Sequence, residues 1–331
     1  MVEEPAGTLL ERVREGGLIA PRRPVVVLLS GGRDSVCLLD MTVTLAGREH
    51  VRALHVNYGL RADAGADERH CAELCERLEV PLAIERASTP ADGPGNLQAW
   101  ARDVRYAAGA RLAAAGGARV ATGHTASDQV ETIVYRLASS PGRRALTGMP
   151  DRRGLLVRPL LRARLTREDT ARWCASRGLT WREDLTNDSD RFARGRVRGA
   201  VLPALRDLHP AADENILRTA ELLEDEAEVL DVVVETALAG RDRIAVGHLA
   251  ALPPALARLV VRRLAEAAAG GLCARAPRRL DDILGLGAAA GARGSAVLDV
   301  GDGARAVVED GILRFERTPP LPARPPGPGR P

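Results

Sequence analysis

The residues best placed to do chemistry are Ser30-Gly31-Gly32-Arg33-Asp34-Ser35, directly after the aliphatic run Val25-Val26-Val27-Leu28-Leu29. Five consecutive aliphatic residues read as a strand buried on both faces. An apolar stretch with helical spacing, Val36 to Leu45, follows the loop. A buried strand, a glycine turn and a helix start present backbone N–H groups to an anion. Gly31 and Gly32 let that backbone come close, and Ser30 and Ser35 add hydroxyls. Asp34 fits a polyphosphate only with a cation between them, which points to Mg²⁺ shared between carboxylate and phosphates. The alternative is that Asp34 caps the helix. A P-loop of the GxxxxGK[ST] kind is excluded, because its lysine is missing and no lysine occurs anywhere in the chain.

Other groups gather by position. Val51 to Asn57 reads as a second strand ending in polar His55 and Asn57. After a strand at 118–123 comes His124, then Asp128 and Glu131, one helical turn apart and so on one face. That acidic face suits Mg²⁺ or a substrate ammonium, or is ordinary first-turn capping behind Thr125. Arg102, Arg105 and Tyr106 form a patch on a long helix predicted over Leu97 to Ala115. From Arg143 to Arg206 there are sixteen arginines against seven Asp plus Glu, which suits either a solvated surface or a nucleic-acid face.

These residues need a scaffold, and strands alternating with helices supply one. The pattern predicts an α/β protein with a doubly wound, mainly parallel sheet, whose ligands gather at the carboxyl ends of the strands. Thr166 is read as capping a helix to Arg177, and Trp181 to Arg198 as loop. Beyond residue 210 the chain becomes Ala- and Leu-rich helix, then a small β meander at 296–315. The predicted organisation is a catalytic domain over 1–209, a smaller helical domain with the meander over 210–317, and a disordered proline-rich tail over 318–331. With 331 residues, 45% hydrophobic, a packed interior is well supplied, and aromatics at 2% leave it to Leu, Val and Ala. The net charge of +3 is mild, so a nucleic-acid face must come from local clustering. Five scattered cysteines suit a reducing cytosol and read as buried thiols. The absence of a signal-like start or a long apolar run predicts a cytoplasmic location without membrane contact.

The strings above resemble the tRNA(Ile)-lysidine synthases, within the PP-loop ATP pyrophosphatases. The likeness runs from Val25 to about Pro203, through His55 to Arg61, Ala101 to Tyr106, Thr122 to Thr132 and Arg158 to Leu161. It closes with Glu183 to Asp188 and Arg194-Gly195-Arg196-Val197-Arg198. Ser127 stands where Asp is common in the family, Gly195 where Asn is usual and Tyr58 where a second His is frequent. Longer members carry a further C-terminal domain beyond the meander.

The resemblance implies ATP on Ser30 to Ser35, with Ala53, His55 and Asn57 framing the adenosine. Mg²⁺ at Asp34 would neutralise charge as O2 of the wobble cytidine attacks the α-phosphorus, and Arg105 would stabilise that charge. Asp128 and Glu131 would hold free lysine, whose ε-amine attacks C2, with His124 nearby for phosphate contact or proton transfer. Arg194, Arg196 and Arg198 would grip the tRNA, an isoleucine tRNA with a CAU anticodon. Lysidine is the product, AMP and pyrophosphate are released, and a homodimer is compatible. Thiolases of the same superfamily use paired cysteines, usually CxxC, whereas Cys71 and Cys75 are four apart. A non-catalytic nucleotide-binding module is the other alternative, and the intact loop and acidic pair argue against it.

Overall fold

The computed structural model describes residues 6–60, 64–88, 97–140, 142–182, 193–290 and 294–319. Arg61, the 183–192 string and the tail from 320 lie outside them. The chain divides into two compact units, Met1–Leu223 and Glu224–Pro331, and the division falls inside the long helix α11 (Ala212–Leu238).

Unit 1 runs α1 (Ala6–Glu15), β1 (Val25–Leu28), α2 (Arg33–Ala46), β2 (Val51–Asn57), α3 (Ala64–Arg77), β3 (Leu82–Arg86), α4 (Leu97–Ala114), β4 (Arg119–Ala121) and α5 (Ala126–Ser139). There follow α6 (Arg143–Leu146), β5 (Arg152–Arg153), β6 (Leu156–Val157), α7 (Pro159–Arg162), α8 (Arg167–Ser176), α9 (Ala193–Arg196), a π-helical turn Val197–Val201, and α10 (Leu202–Leu208). The sheet order is β3-β2-β1-β4-β6-β5, parallel except for the β5–β6 hairpin. The predicted doubly wound sheet is therefore present.

Burial follows the two-residue period of the strands. Val25, Val27, Leu29, Ala53 and Ala121 join the core on one face, and Val26, Leu28, Leu54, Val56 and Val120 join that on the other. Each Val or Leu side chain so taken from water is worth roughly 1.5–3 kcal/mol, so β1, all Val and Leu, is the strand the sheet is least able to lose. Because β1 pairs in parallel with β2 on one side and β4 on the other, the order in which strands are added to the sheet reverses between β1 and β4. That is the switch point at which such sheets open a crevice.

The segment expected as loop up to Arg198 is helical from Ala193. The reason is tertiary packing, since Val197 and Leu202 bury against Val130 of α5.

Unit 2 contains β7 (Arg243–Ala245), α12 (Val246–Ala251), α13 (Pro254–Ala269), α14 (Leu280–Ala290), β8 (Ser295–Gly301), β9 (Ala304–Glu309) and β10 (Ile312–Arg317). The meander β8–β10 forms as expected, and β7 adds to it in the order β7-β10-β9-β8. Three residues of β7 are too few to show alternation in the sequence.

Candidate functional site

The turn after β1 is built from its own side chains. Ser35 Oγ donates to the Gly32 carbonyl at 2.8 Å and accepts from the Ser30 N–H at 3.2 Å. The two serine hydroxyls lie 3.1 Å apart. Gly31 has φ +84°, a left-handed conformation that glycine adopts without cost. Helix α2 starts at Gly32 with no side-chain cap. The Gly32 N–H reaches Ser30 Oγ at 3.4 Å and the Ser35 N–H the Gly32 carbonyl at 3.0 Å, and the start keeps the partly positive character of a helix N-terminus.

Asp34 therefore does not cap. Its Oδ1 accepts from the Thr170 hydroxyl at 2.5 Å and from Arg33 Nε at 3.2 Å, while Oδ2 lies 4.0 Å from Arg167 Nε. Burial raises the pKa of Asp34, and the Asp128 carboxylate adds to the rise against Thr170, Arg33 and Arg167. A carboxylate in that condition gains from a nearby cation. Among the described residues no group of three or more His, Cys, Asp or Glu is arranged to hold a metal. A single carboxylate at a phosphate loop suits Mg²⁺, which is usually bound by one or two carboxylates, substrate phosphates and water.

The turn after β4 comes against this loop. A Cβ on Gly123 would sit 2.9 Å from the backbone C and O of Asp34, so only glycine fits there. Helix α5 then begins with a reciprocal capping box, in which the Thr125 N–H donates to Asp128 Oδ2 at 2.8 Å and Thr125 Oγ1 accepts from the Asp128 N–H. Asp128 is thus both cap and acidic wall. Its Oδ1 accepts from Arg167 Nη2 at 2.6 Å. Arg167 Nη1 donates to Glu131 Oε1 at 2.6 Å, and Arg198 Nε reaches the same oxygen at 2.7 Å. Burial alone would raise Asp128, but Arg167, His124 and the two Thr125 donors outweigh it and hold its pKa low.

His124 sits beside Thr122, Nδ1 to Oγ1 at 3.1 Å. Burial lowers its pKa to about 4 against the pull of Asp128, helped by Arg158, Arg105 and Arg102, so it is neutral at neutral pH. Arg105 lies with its guanidinium 5.6 Å from the Tyr106 ring centre, and its Nε is buried without a partner.

The fold thus brings together Ser30 to Ser35, His124, Asp128 and Glu131. The residues expected around adenosine are placed differently. Ala53 is wholly buried, and His55 is turned inward with Nδ1 2.9 Å from the Leu29 carbonyl and 3.4 Å from Cys71 Sγ. Asn57 binds Glu68 and accepts from the Gly59 N–H. Of the arginines expected on tRNA, Arg194 is half-buried and Arg196 exposed, while Arg198 is tied to Glu131.

Arg167 is the residue that sequence reasoning missed. It is the first helical residue of α8, fixed by a second capping box between Thr166 and Asp169, and its N–H donates to Ser127 Oγ at 3.2 Å. Ser127, a departure from the family pattern, is thereby an acceptor for this arginine. A Thr-x-x-Asp box read from the sequence places the arginine at a helix start, but not which carboxylates it meets. All five cysteines are buried, and burial pushes the Cys71 and Cys75 thiols up to about 12.

The PP-loop domain family matches residues 6–205. The tRNA(Ile)-lysidine synthase of Thermus thermophilus is 39% identical over 272 residues, which are 81% of this chain and 50% of that protein. That of Symbiobacterium thermophilum is 36% identical over 345 residues, 94% of this chain and 70% of that protein. That of Dehalococcoides mccartyi is 34% identical, with 82% and 62% covered. The chain spans about half the length of the Thermus relative. A solved U34-tRNA thiolase from Methanococcus maripaludis has the same fold, with TM-score 0.53 at 16% identity over 66% of this chain and 78% of its own. No helix among the described residues is long and apolar enough to cross a membrane. With its phosphate loop, its switch-point crevice and relatives matched over most of its length, the chain belongs to the tRNA(Ile)-lysidine synthase family of PP-loop proteins.

Proposed function

We propose that the protein joins free lysine to C2 of the wobble cytidine in the CAU anticodon of an isoleucine tRNA, using ATP. The observation that carries this reading is the pairing of an uncapped, phosphate-ready helix start at Gly32 with an acidic wall, Asp128 and Glu131, across one turn. One side suits a polyphosphate and the other an ammonium.

In this reading the Ser30–Ser35 loop and the start of α2 orient the ATP phosphates. Asp34 would hold Mg²⁺, whose chemistry when bound is to offset phosphate charge. Cytidine O2 attacks the α-phosphorus, the bond to the bridging oxygen breaks, and pyrophosphate leaves. Arg105 is a fixed cation for the charge that develops. The lysine ε-amine then bonds to C2, the C2–O bond breaks, and AMP departs.

Asp128 and Glu131 bind the ammonium, and Arg167 now fills the place of that cation. Lysine binding therefore exchanges one cation for another against the same oxygens. An amine attacks only after losing a proton, and neutral His124 is the neighbouring group able to take it. Arg194 and Arg196 contact tRNA phosphates. The catalytic part is residues 1–209 and the helical part with the meander is 210–317.

The test is incorporation of labelled lysine into a CAU-anticodon isoleucine tRNA transcript. Label in the tRNA, with AMP and pyrophosphate in equal amounts, is expected. Pyrophosphate release without label in the tRNA would overturn the lysine step.

A further inference from the structure

Arginines on the two sides of the β4–α5 turn are used differently. Arg167 and Arg198 face carboxylates. Arg102 and Arg105 on α4, Arg136 on α5, Arg158 just before α7 and Arg194 on α9 make no ion pair among the described residues.

Arg158 is the extreme case. It is 6% exposed, its Nη1 donates to the Pro150 carbonyl at 2.6 Å, and its Nε has no partner. Arg136 donates to the neighbouring Gly148 carbonyl. Both side chains are therefore anchored on one short stretch, by carbonyl oxygens that hold a guanidinium without neutralising it. Burial lowers the pKa of Arg136, and the charges of Arg194, Arg102 and Arg158 lower it further. Positive charge confined in this way without a counter-ion among the described residues is expensive, and a bound anion relieves it.

The anion is better matched by an RNA chain than by the phosphates of ATP. The Ser30–Ser35 loop and the start of α2 already form a phosphate cradle of their own. From Asp128 to Arg136 the arginine side extends along α5 by roughly 12 Å, eight residues at about 1.5 Å each. Trp100 and Tyr106 share α4 with Arg102 and Arg105, and Tyr58 and Tyr106 are half-buried, each packed on one side against the sheet core. Tyr58 and Trp100 meet edge to face at 5.8 Å, and Tyr58 donates to the Ala101 carbonyl. A basic track with aromatic side chains beside it is how proteins hold single-stranded nucleic acid.

We propose that Arg102, Arg136, Arg158 and Arg194, beside Tyr58, Trp100 and Tyr106, form a phosphodiester site for single-stranded RNA, separate from the ATP phosphate cradle. This rests on the tRNA reading above and assigns the nucleotides flanking the target base to this wall.

The test is binding of a CAU anticodon stem-loop RNA across a salt series, with ATP affinity measured separately without RNA. Arg102→Ala and Arg136→Ala should each lower the log–log salt slope by about 0.7 and weaken binding several-fold at fixed salt. Arg102→Lys should keep the slope, and ATP affinity should not change. Arg102 is exposed, so its variants keep the test interpretable if Arg136→Ala folds poorly. Unchanged slopes in folded variants would overturn the site, as would ATP affinity falling in step with RNA affinity. A wild type that labels tRNA with lysine while the variants keep its slope would refute this site alone. A wild type that does not bind the RNA would refute the tRNA reading with it.

Discussion

Two helix starts meet across the switch point, and they are built oppositely. Helix α2 begins after Gly32, an N-cap residue that offers no side-chain cap, and the nearest side-chain acceptor is Ser30 Oγ, 3.4 Å from the Gly32 N–H. Helix α5 begins with Thr125 and Asp128 satisfying each other's backbone donors. The open start has Asp34 in its first turn, but that carboxylate is bonded to Thr170 instead of the helix's N–H groups, and the macrodipole there favours a further anion. The closed start brings its own anion, and with Glu131 one turn further along it calls for a cation, which Arg167 supplies. A single crevice thus presents two ends of opposite demand, one suited to an anion and one to a cation. Helix α8 repeats the closed design at Thr166 and Asp169, with the same 2.8 Å bond from the cap N–H to the acid. That box points Arg167 across the gap.

The comparison is broken most severely by removing the cation at the closed end. Arg167→Met leaves Asp128 without this ion pair and Glu131 with Arg198 as its remaining ion-pair partner among the described residues. Stripping one partner from a buried pair costs 3–5 kcal/mol, and with Arg198 remaining the expected loss is about 3 kcal/mol, read from urea unfolding at pH 7. Asp128 has a native pKa below its ordinary 3.8, so its contribution is complete above that value and fades as pH falls through the native one. The gap between wild type and variant should therefore narrow only below about pH 4.

Closing the open end is the next largest change. Gly32 has φ −78° and ψ 157°, and a Cβ there meets nothing nearer than 3.5 Å, so a side chain is accommodated. Gly32→Asp should cap α2 and place a carboxylate where phosphate would bind. ATP affinity should fall on the order of 100-fold, about 2.7 kcal/mol, while stability holds or rises by a few tenths of a kcal/mol. Isothermal titration with ATP, paired with thermal unfolding, separates the two effects.

Opening the closed end is milder. Thr125→Ala removes one half of the box and should cost about 1 kcal/mol, checked by urea unfolding. The effect absent at neutral pH is the acid response of His124. Its native pKa of about 4 lies below the ordinary 6.5, so the unfolded chain takes up the proton first. Stability tied to neutral His124 is complete above 6.5 and is lost as pH falls towards 4. His124→Asn should flatten that part of the stability–pH curve.

Much of this arrangement was legible in the sequence. The valine run marked the central strand, because a strand buried on both faces has no polar alternation to blur it. The carboxyl ends of the predicted strands put Ser30 to Ser35, His55 to Asn57 and Gly123 to Asp128 around one crevice, whereas in the fold His55 turns inward to the Leu29 carbonyl and Asn57 to Glu68. What sequence could not resolve was how charges pair. Asp34 and Asp128 are both first-turn acids, yet only Asp128 caps, because Asp34 is drawn to Thr170, far along the chain. Arg167 is one of many arginines, and Arg158 looks like surface until packing buries it. The helical turns at 193–201 were hidden by arginine and glycine, since burial of Val197 and Leu202 on α5 decides that segment.

The claim that the two ends differ in ligand is tested most directly by titrating ATP and lysine in parallel into wild type, Asp128→Asn and Glu131→Gln, with tRNA modification as readout. Asparagine and glutamine keep the size of each side chain and remove its charge. The lysine concentration needed for half-maximal rate should rise by about tenfold or more in each variant, while ATP affinity stays within about twofold, one kcal/mol or more against a few tenths. Wild-type lysine dependence in both variants, or an equal loss towards ATP, would contradict the assignment and leave Asp128 and Glu131 as helix cap and ion-pair partners only.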